Sequence, residues 1–164
     1  MGYTGNMKAL LRSIFPAEFY ERPEYFRAFA LGMVYTFFLI AQLFTFEKFP
    51  GVIEAYQIKL PGLLVAVLLT VFEGASLPFL LSMSLPRVAR TLSRLSVLIA
   101  SFSWLVLATV ISARGYTGNA GIFGGTLESS NGWWFVGFMG LVALSAVLVV
   151  WELPPAPTHG KKKA

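Results

Sequence analysis

One residue in this sequence is chemically out of place. Glu73 lies in the apolar run LLVAVLLTVFEGASLPFLL, as the one ionisable side chain between Lys59 and Arg87. An ionised carboxylate in hydrocarbon costs several kcal/mol unless it is paired, wetted or protonated, so such residues face a bundle interior or a cavity. Proton relay, ligand binding and quinone hydrogen bonding are the chemistries open to it, with Gln42 of the preceding apolar run as a candidate polar neighbour. A purely structural reading is equally open, in which the carboxyl group hydrogen-bonds a neighbouring helix and locks the bundle.

The rest of the composition removes most other chemistry. Cysteine is absent, which excludes disulfides, thiol catalysis, thioether haem attachment and iron–sulfur clusters. All eight acidic residues are glutamate and the single histidine, His159, lies in a Pro/Lys-rich tail. A Ser-His-Asp triad, a bis-histidine haem site and a histidine-based metal site in the apolar part therefore cannot be assembled. We expect no catalytic residue, no metal site and no intrinsic cofactor, leaving contact with a quinone, lipid or pigment at a subunit interface as the cofactor role open to the chain.

What must position Glu73 is a membrane domain. The chain of 164 residues is 56% hydrophobic and only 13% charged, too apolar for a water-soluble domain of this size to cover. Four apolar segments, at about 26–46, 60–85, 92–112 and 133–151, each reach the roughly 20 residues that cross a bilayer core of about 30 Å as a helix. The fold expected is all-α, a polytopic membrane protein built as a four-transmembrane-helix bundle over residues 26–151. An N-terminal interfacial segment, 1–25, and a disordered basic tail, 152–164, flank it. The first apolar run comes too late and is too long for a signal-peptide core, so it is expected to stay as an anchor. Leu10, Leu11, Ile14, Phe15 and Phe19, opposite Lys8 and Arg12, fit a short interfacial helix broken at Pro16.

Basic residues set the expected orientation. Lys8, Arg12, Arg22 and Arg27 precede the first span, Arg87, Arg90 and Arg94 join the second to the third, and Lys161, Lys162 and Lys163 close the chain. The other connections hold Lys48, Lys59 and Arg114. The positive-inside rule then puts both termini in the cytoplasm, with the two arginine- and lysine-rich groups against lipid headgroups or a partner. Membrane lipids and other membrane subunits are the expected partners; nothing resembles a nucleic-acid module.

Small residues account for helix packing. Gly62, Ala66, Thr70 and Gly74 recur every four residues on the second span, Ser96, Ala100 and Ser103 lie on the third, and Gly137 and Gly140 on the fourth; such residues let helices approach closely in lipid. Phe37, Phe38, Phe44, Phe46 and Trp104 read as apolar surface first and as ligand contacts second.

The pentapeptide GYTGN occurs at 2–6 and again at 115–119. The residues that follow the two copies share no identity in ungapped register, so each copy reads as turn chemistry rather than a duplicated unit. The stretch after the second copy, AGIFGGTLESSNGWW, is glycine-rich, has no P-loop lysine and ends in an aromatic belt. Asn119, Gly121, Phe123, Gly124, Gly125, Trp133 and Trp134 are its candidate partner contacts.

The order of these features resembles the DoxX-like superfamily of four-helix membrane proteins, most closely its MauE (methylamine utilisation) branch. The resemblance covers roughly Ala30 to Trp151. It rests on Phe46-Glu47-Lys48-Phe49 at the end of the first span, on Glu73-Gly74, and on Ala120-Gly121-Ile122-Phe123-Gly124, which is similar to a CGCFG motif. Ala120 and Ile122 stand where that motif has cysteines, so the thiol–disulfide chemistry the branch implies cannot run here. The resemblance implies a bacterial-type cytoplasmic (inner) membrane and two functional expectations. The first is a non-catalytic subunit that stabilises or assembles a larger membrane redox or energy-converting complex. The second is a quinone- or proton-handling protein acting through Glu73. A solute transporter fits less well, because no repeat relates the two halves.

Overall fold

The computed structural model describes residues 22–125 and 128–153, and within them the chain is helical. Five helices follow one another: α1 (Pro23–Phe44), α2 (Phe49–Glu54), α3 (Gly62–Leu80), α4 (Arg87–Ala113) and α5 (Trp133–Glu152). The one β feature among the described residues is an isolated bridge between Asn119 and Ser130. All helices but α2 are long and apolar enough to cross a membrane. The interfacial helix expected before residue 22, the first GYTGN copy, His159 and Lys161 to Lys163 lie outside the described residues.

The four long helices form an up-and-down ring in which α3 packs on α1 and α4, and α5 packs on α4 and, less extensively, on α1. Arg22 and Leu153 share one end, here the basal end. The α1–α3 connection and the 114–132 loop share the other, the loop end.

Each of the long helices buries a seam with alternating steps of four and three residues. On α3 it runs Gly62, Ala66, Leu69, Glu73, Ser76, Leu80. On α4 it includes Ser93, Val97, Ala100, Trp104, Leu107 and Ile111, and on α5 Phe135, Met139, Val142, Ala146 and Val149. That average of 3.5 is the spacing of left-handed helix bundles. The stripe expected on the second span steps by four throughout and so drifts about 40° around the helix per step. Consequently Gly62 and Ala66 are buried, Thr70 is half-buried and bonds back to the Ala66 carbonyl at 2.8 Å, and Gly74 turns toward Leu39 of α1. Glu73 is a member of the buried seam itself. Gly137 and Gly140 face open space, with no atom within 4 Å of where a Cβ would stand.

Outside the seams the surface stays apolar. Phe37, Leu63, Val106 and Leu141 are each more than half exposed. Helices that are hydrophobic all round have lipid as their solvent.

Prolines and a glycine set the helix ends. Pro23 opens α1, Pro61 precedes α3, and Pro86 precedes α4, fixing its start five residues before the expected span. Arg87, Arg90 and Arg94 therefore lie in the first turns of α4 rather than in a connecting turn. Pro86 also keeps α3 and α4 apart: α3 ends at Leu80, and Ser82 turns with φ +54°. At its far end α4 closes in a Schellman motif, with the Tyr116 N–H on the Ile111 carbonyl, the Gly115 N–H on the Ser112 carbonyl, and Gly115 at φ +68°. The second GYTGN copy is thus a helix terminator.

Pro78 interrupts α3 within its last turn, and α4 supplies the repair. The Phe79 N–H donates to Ser93 Oγ at 3.0 Å, and Ser93 Oγ donates to the Ala75 carbonyl at 2.6 Å. One hydroxyl from the neighbouring helix bridges a broken backbone bond. Ser96 bonds only the Leu92 carbonyl of its own helix. We predict that Ser93→Ala lowers unfolding stability in detergent micelles by about 1–2 kcal/mol, while Ser96→Ala stays within about 0.5 kcal/mol. Equal losses for the two variants would show that Ser93 is not a bridge.

Candidate functional site

Three elements converge on Glu73. The carboxylate is completely buried on α3, and its Oε1 accepts the indole N–H of Trp104 of α4 at 2.5 Å and the Nε2–H of Gln42 of α1 at 3.2 Å. Gln42 Nε2 also donates to the backbone carbonyl of Ile122 in the loop, at 3.2 Å. Both amide hydrogens meet acceptors, so the opposite amide orientation would set Gln42 Oε1 against two oxygens. Glu73 Oε2 and Gln42 Oε1 are buried without a hydrogen-bond partner. One network thus joins three helices and the loop.

Trp104 is held from both sides. Its seam neighbours Ala100 and Ala108 are fully buried small residues, and Phe49 of α2 stacks on its ring with centroids 6.4 Å apart and planes 21° from parallel. Helix α2 has no counterpart among the expected elements. At six residues it carries too little periodicity to be read, and Pro50 and Gly51 disguise it as a turn. Its Phe49 and Ile53 are buried, and Phe49 joins it to the network through the Trp104 ring.

The 114–132 loop folds back into the mouth of the bundle. Ala120 and Ile122 are as buried as any core residue. Asn119 organises the turn: its Oδ1 accepts the N–H groups of Gly121 at 2.9 Å and Ser129 at 3.2 Å, and its Nδ2 donates to the Gly124 carbonyl at 3.3 Å. Tyr56 donates its hydroxyl to the Asn119 carbonyl at 3.3 Å. Burial, and then the neighbouring Tyr116 ring, push the Tyr56 phenol upward, so it stays a donor. Arg114 ties the loop's start to the α1–α3 connection through the carbonyls of Tyr56 at 2.7 Å and Gln57 at 3.0 Å.

Gly121 and Gly124 permit this docking. Both have left-handed backbones, at φ +69° and +76°. A Cβ on Gly121 would stand 2.5 Å from the Tyr56 hydroxyl, and one on Gly124 would strike Thr45 Oγ1 and lie 3.0 Å from the Ala41 carbonyl. The Gly125 N–H donates to Thr45 Oγ1 at 2.9 Å. These glycines let backbone approach backbone within the protein.

The expected site residues thus fall into two groups. Glu73 and Gln42 meet directly. Asn119, Gly121, Gly124 and Gly125 turn inward and hold the loop, whereas Trp133 and Trp134 are exposed at the rim. Phe123 is half-buried beside Phe37 and Phe38 of α1, with centroids 5.5 and 5.9 Å away. At the basal end Arg94 Nη2 donates to the Val150 carbonyl, Arg90 lies 5.8 Å from the Phe79 ring, and Arg87 is exposed. Trp104 is the member of the network that reasoning from the sequence took for apolar surface. Its offset from Glu73 by a full connecting turn gives no local signal of the pairing.

No group of three or more potential metal ligands occurs among the described residues. Two donors on one carboxylate oxygen, in a sealed interior, can fix the position of an acid and couple it to the loop. The fold and site define a helical, multi-pass class of protein with a polar node enclosed at Glu73. Comparison with protein-family models, curated proteins and solved structures returned no match.

The docked loop leads to a graded expectation. Gly115→Ala meets only backbone strain, since nothing lies within 4 Å of its Cβ position, and should cost about 1–2 kcal/mol. Gly124→Ala adds steric collision to the same strain and should cost more and expose the 114–132 loop to protease. Matching thermal shifts for the two variants would mean that the loop does not seat as described.

Proposed function

We propose that this chain is a non-catalytic, multi-pass subunit that stabilises or assembles a larger redox or energy-converting complex in the cytoplasmic membrane of a bacterial-type cell. Both termini face the cytoplasm in this reading. The observation that carries it is the enclosure of Glu73: the most unusual side chain of the sequence spends its hydrogen bonds on Trp104 and Gln42 and ties the loop to the bundle. A carboxylate used in this way is a lock, and the surfaces left for work are the lipid-facing helices and the Trp133–Trp134 rim.

Charge supports the orientation. At the basal end Arg22, Arg27, Arg87, Arg90 and Arg94 stand against Glu24 and Glu152, five against two, whereas at the loop end Lys48, Lys59 and Arg114 are balanced by Glu47, Glu54 and Glu128. The positive-inside rule assigns the basal end to the cytoplasm. The resemblance to DoxX-like and MauE proteins belongs to the same proposal. Ala120 and Ile122, at the positions of that branch's cysteines, are packed as core, which fits a scaffold that has kept the loop and not the thiol chemistry.

One observation favours the second reading, a quinone- or proton-handling protein acting through Glu73. Glu73 Oε2 and Gln42 Oε1 are two buried acceptors without donors, and a hydroxyl-bearing guest or a transferred proton would serve Glu73 Oε2.

Glu73→Gln and Glu73→Leu separate the readings. The first keeps shape and hydrogen-bonding capacity and removes titration, whereas the second removes the lock. For a structural subunit, Glu73→Gln membranes keep their wild-type respiratory or other electron-transfer rate and the chain keeps its companions in mild detergent. Glu73→Leu, which leaves Trp104 and Gln42 unsatisfied, loses about 1–3 kcal/mol of stability and sheds them. Loss of electron transfer in Glu73→Gln with assembly intact would overturn the structural reading. Purification of the wild-type chain alone would count equally against it.

A further inference from the structure

Helices α1 and α5 meet less closely than the other neighbours in the ring, and two adjacent hollows lie along their seam. A hollow of about 330 Å³ opens at the basal end, bounded by Arg27, Ala30, Val34, Phe138 and Ser145. A second, of about 390 Å³, continues toward the loop end past Met33, Phe37 and Phe123, and Val34 and Phe138 line both. The walls are apolar except at the basal mouth. Ser145 makes no polar demand on a guest, since its hydroxyl donates to the Leu141 carbonyl of its own helix at 2.8 Å.

The mouth is built differently. Arg27 forms an ion pair with Glu152 at 2.9 Å, which holds the guanidinium at the opening while about half of its side chain stays exposed. Arg94 reaches the same last turn of α5 through the Val150 carbonyl. The whole end carries the surplus of positive charge described above. From Arg27 to Phe37 the groove follows α1 for about 15 Å, the depth of one leaflet of a bilayer core.

We propose that the α1/α5 groove holds one acyl chain of an anionic phospholipid, with the headgroup phosphate at Arg27. This rests on the membrane placement argued above and not on the partner complex. A groove apolar along one leaflet and cationic at its mouth matches that amphiphile in both length and charge. A partner helix is about 10 Å wide and would fill so narrow a seam only by inserting side chains, leaving the positive surplus of this end unmet.

Purified chain is reconstituted in nanodiscs of equimolar phosphatidylglycerol and phosphatidylcholine, extracted gently and examined by native mass spectrometry. The symmetric bilayer removes any dependence on orientation or companion proteins. Wild type should retain phosphatidylglycerol over phosphatidylcholine by about fivefold. Arg27→Gln should lose that preference. Glu152→Gln, which breaks the ion pair and keeps the arginine, should hold or raise it, so that a loss in Arg27→Gln is one of charge and not of fold. Ala30→Phe, which fills the groove from its exposed wall, should lose the retained lipid of either headgroup while its melting temperature is maintained. An unchanged preference in Arg27→Gln, or undiminished lipid in a folded Ala30→Phe, would overturn the assignment. Wild type retaining both lipids equally, or a second protein chain held through the Ala30 face in place of lipid, would overturn it as well.

Discussion

The structure depends on the rule that a polar group placed among apolar helices must find its partner within the protein. Oε1 of Glu73 obeys it by gathering donors from α1 and α4, and Gln42 extends the obligation to the loop by taking the Ile122 carbonyl. The same rule operates at Ser93, which bridges the backbone that Pro78 disrupts. It operates again at Tyr35 of α1, whose hydroxyl meets Ser101 and the Val97 carbonyl of α4 across the ring. Apolar seams bring the helices together without preferring one rotation over another. These few polar contacts are directional, and they fix which faces meet.

Seen this way, the loop is part of the core. Its backbone reaches the bundle because Gly121 and Gly124 lack the Cβ atoms that would collide with Tyr56 and Thr45, and because Asn119 satisfies the turn's own N–H groups from within. Only then can Ile122 present its carbonyl to Gln42. The glycines and Glu73 lie far apart in sequence, yet each is needed for the other to be satisfied.

How much of this the sequence announces varies with the range of the interaction. The four long helices were readable because composition and length alone identify an apolar segment of bilayer length, and Glu73 stood out because a carboxylate is conspicuous there. The Glu73–Gln42 meeting was readable as a candidate, since few polar residues compete at that depth. Trp104 was not, because an indole in an apolar helix looks the same whether its N–H is used or idle. Helix α2 was hidden by its shortness and by Pro50 and Gly51. The every-four-residue stripe on α3 drifts around the helix, so it shares Gly62 and Ala66 with the buried seam and parts from it at Thr70 and Gly74, where the seam runs on through Leu69 and Glu73.

A buried carboxylate in a membrane helix invites a functional reading by default, and the geometry weighs against treating that default as sufficient. Working acids and bases need access to what they protonate, whereas Glu73 is fully buried, with Trp104 and Gln42 on its Oε1 and Phe49 stacked on the Trp104 ring. A lock has the opposite requirement, enclosure and converging donors, and it gains strength from the low dielectric that makes an unmet charge so costly. What sets this node apart from a simple lock is its asymmetry: one carboxylate oxygen has two donors and the other has none. A node satisfied on one side can bear load between helices and loop while keeping an acceptor in reserve. The structural role and a guest at that oxygen are therefore compatible in one geometry, with the structural role accounting for more of the contacts.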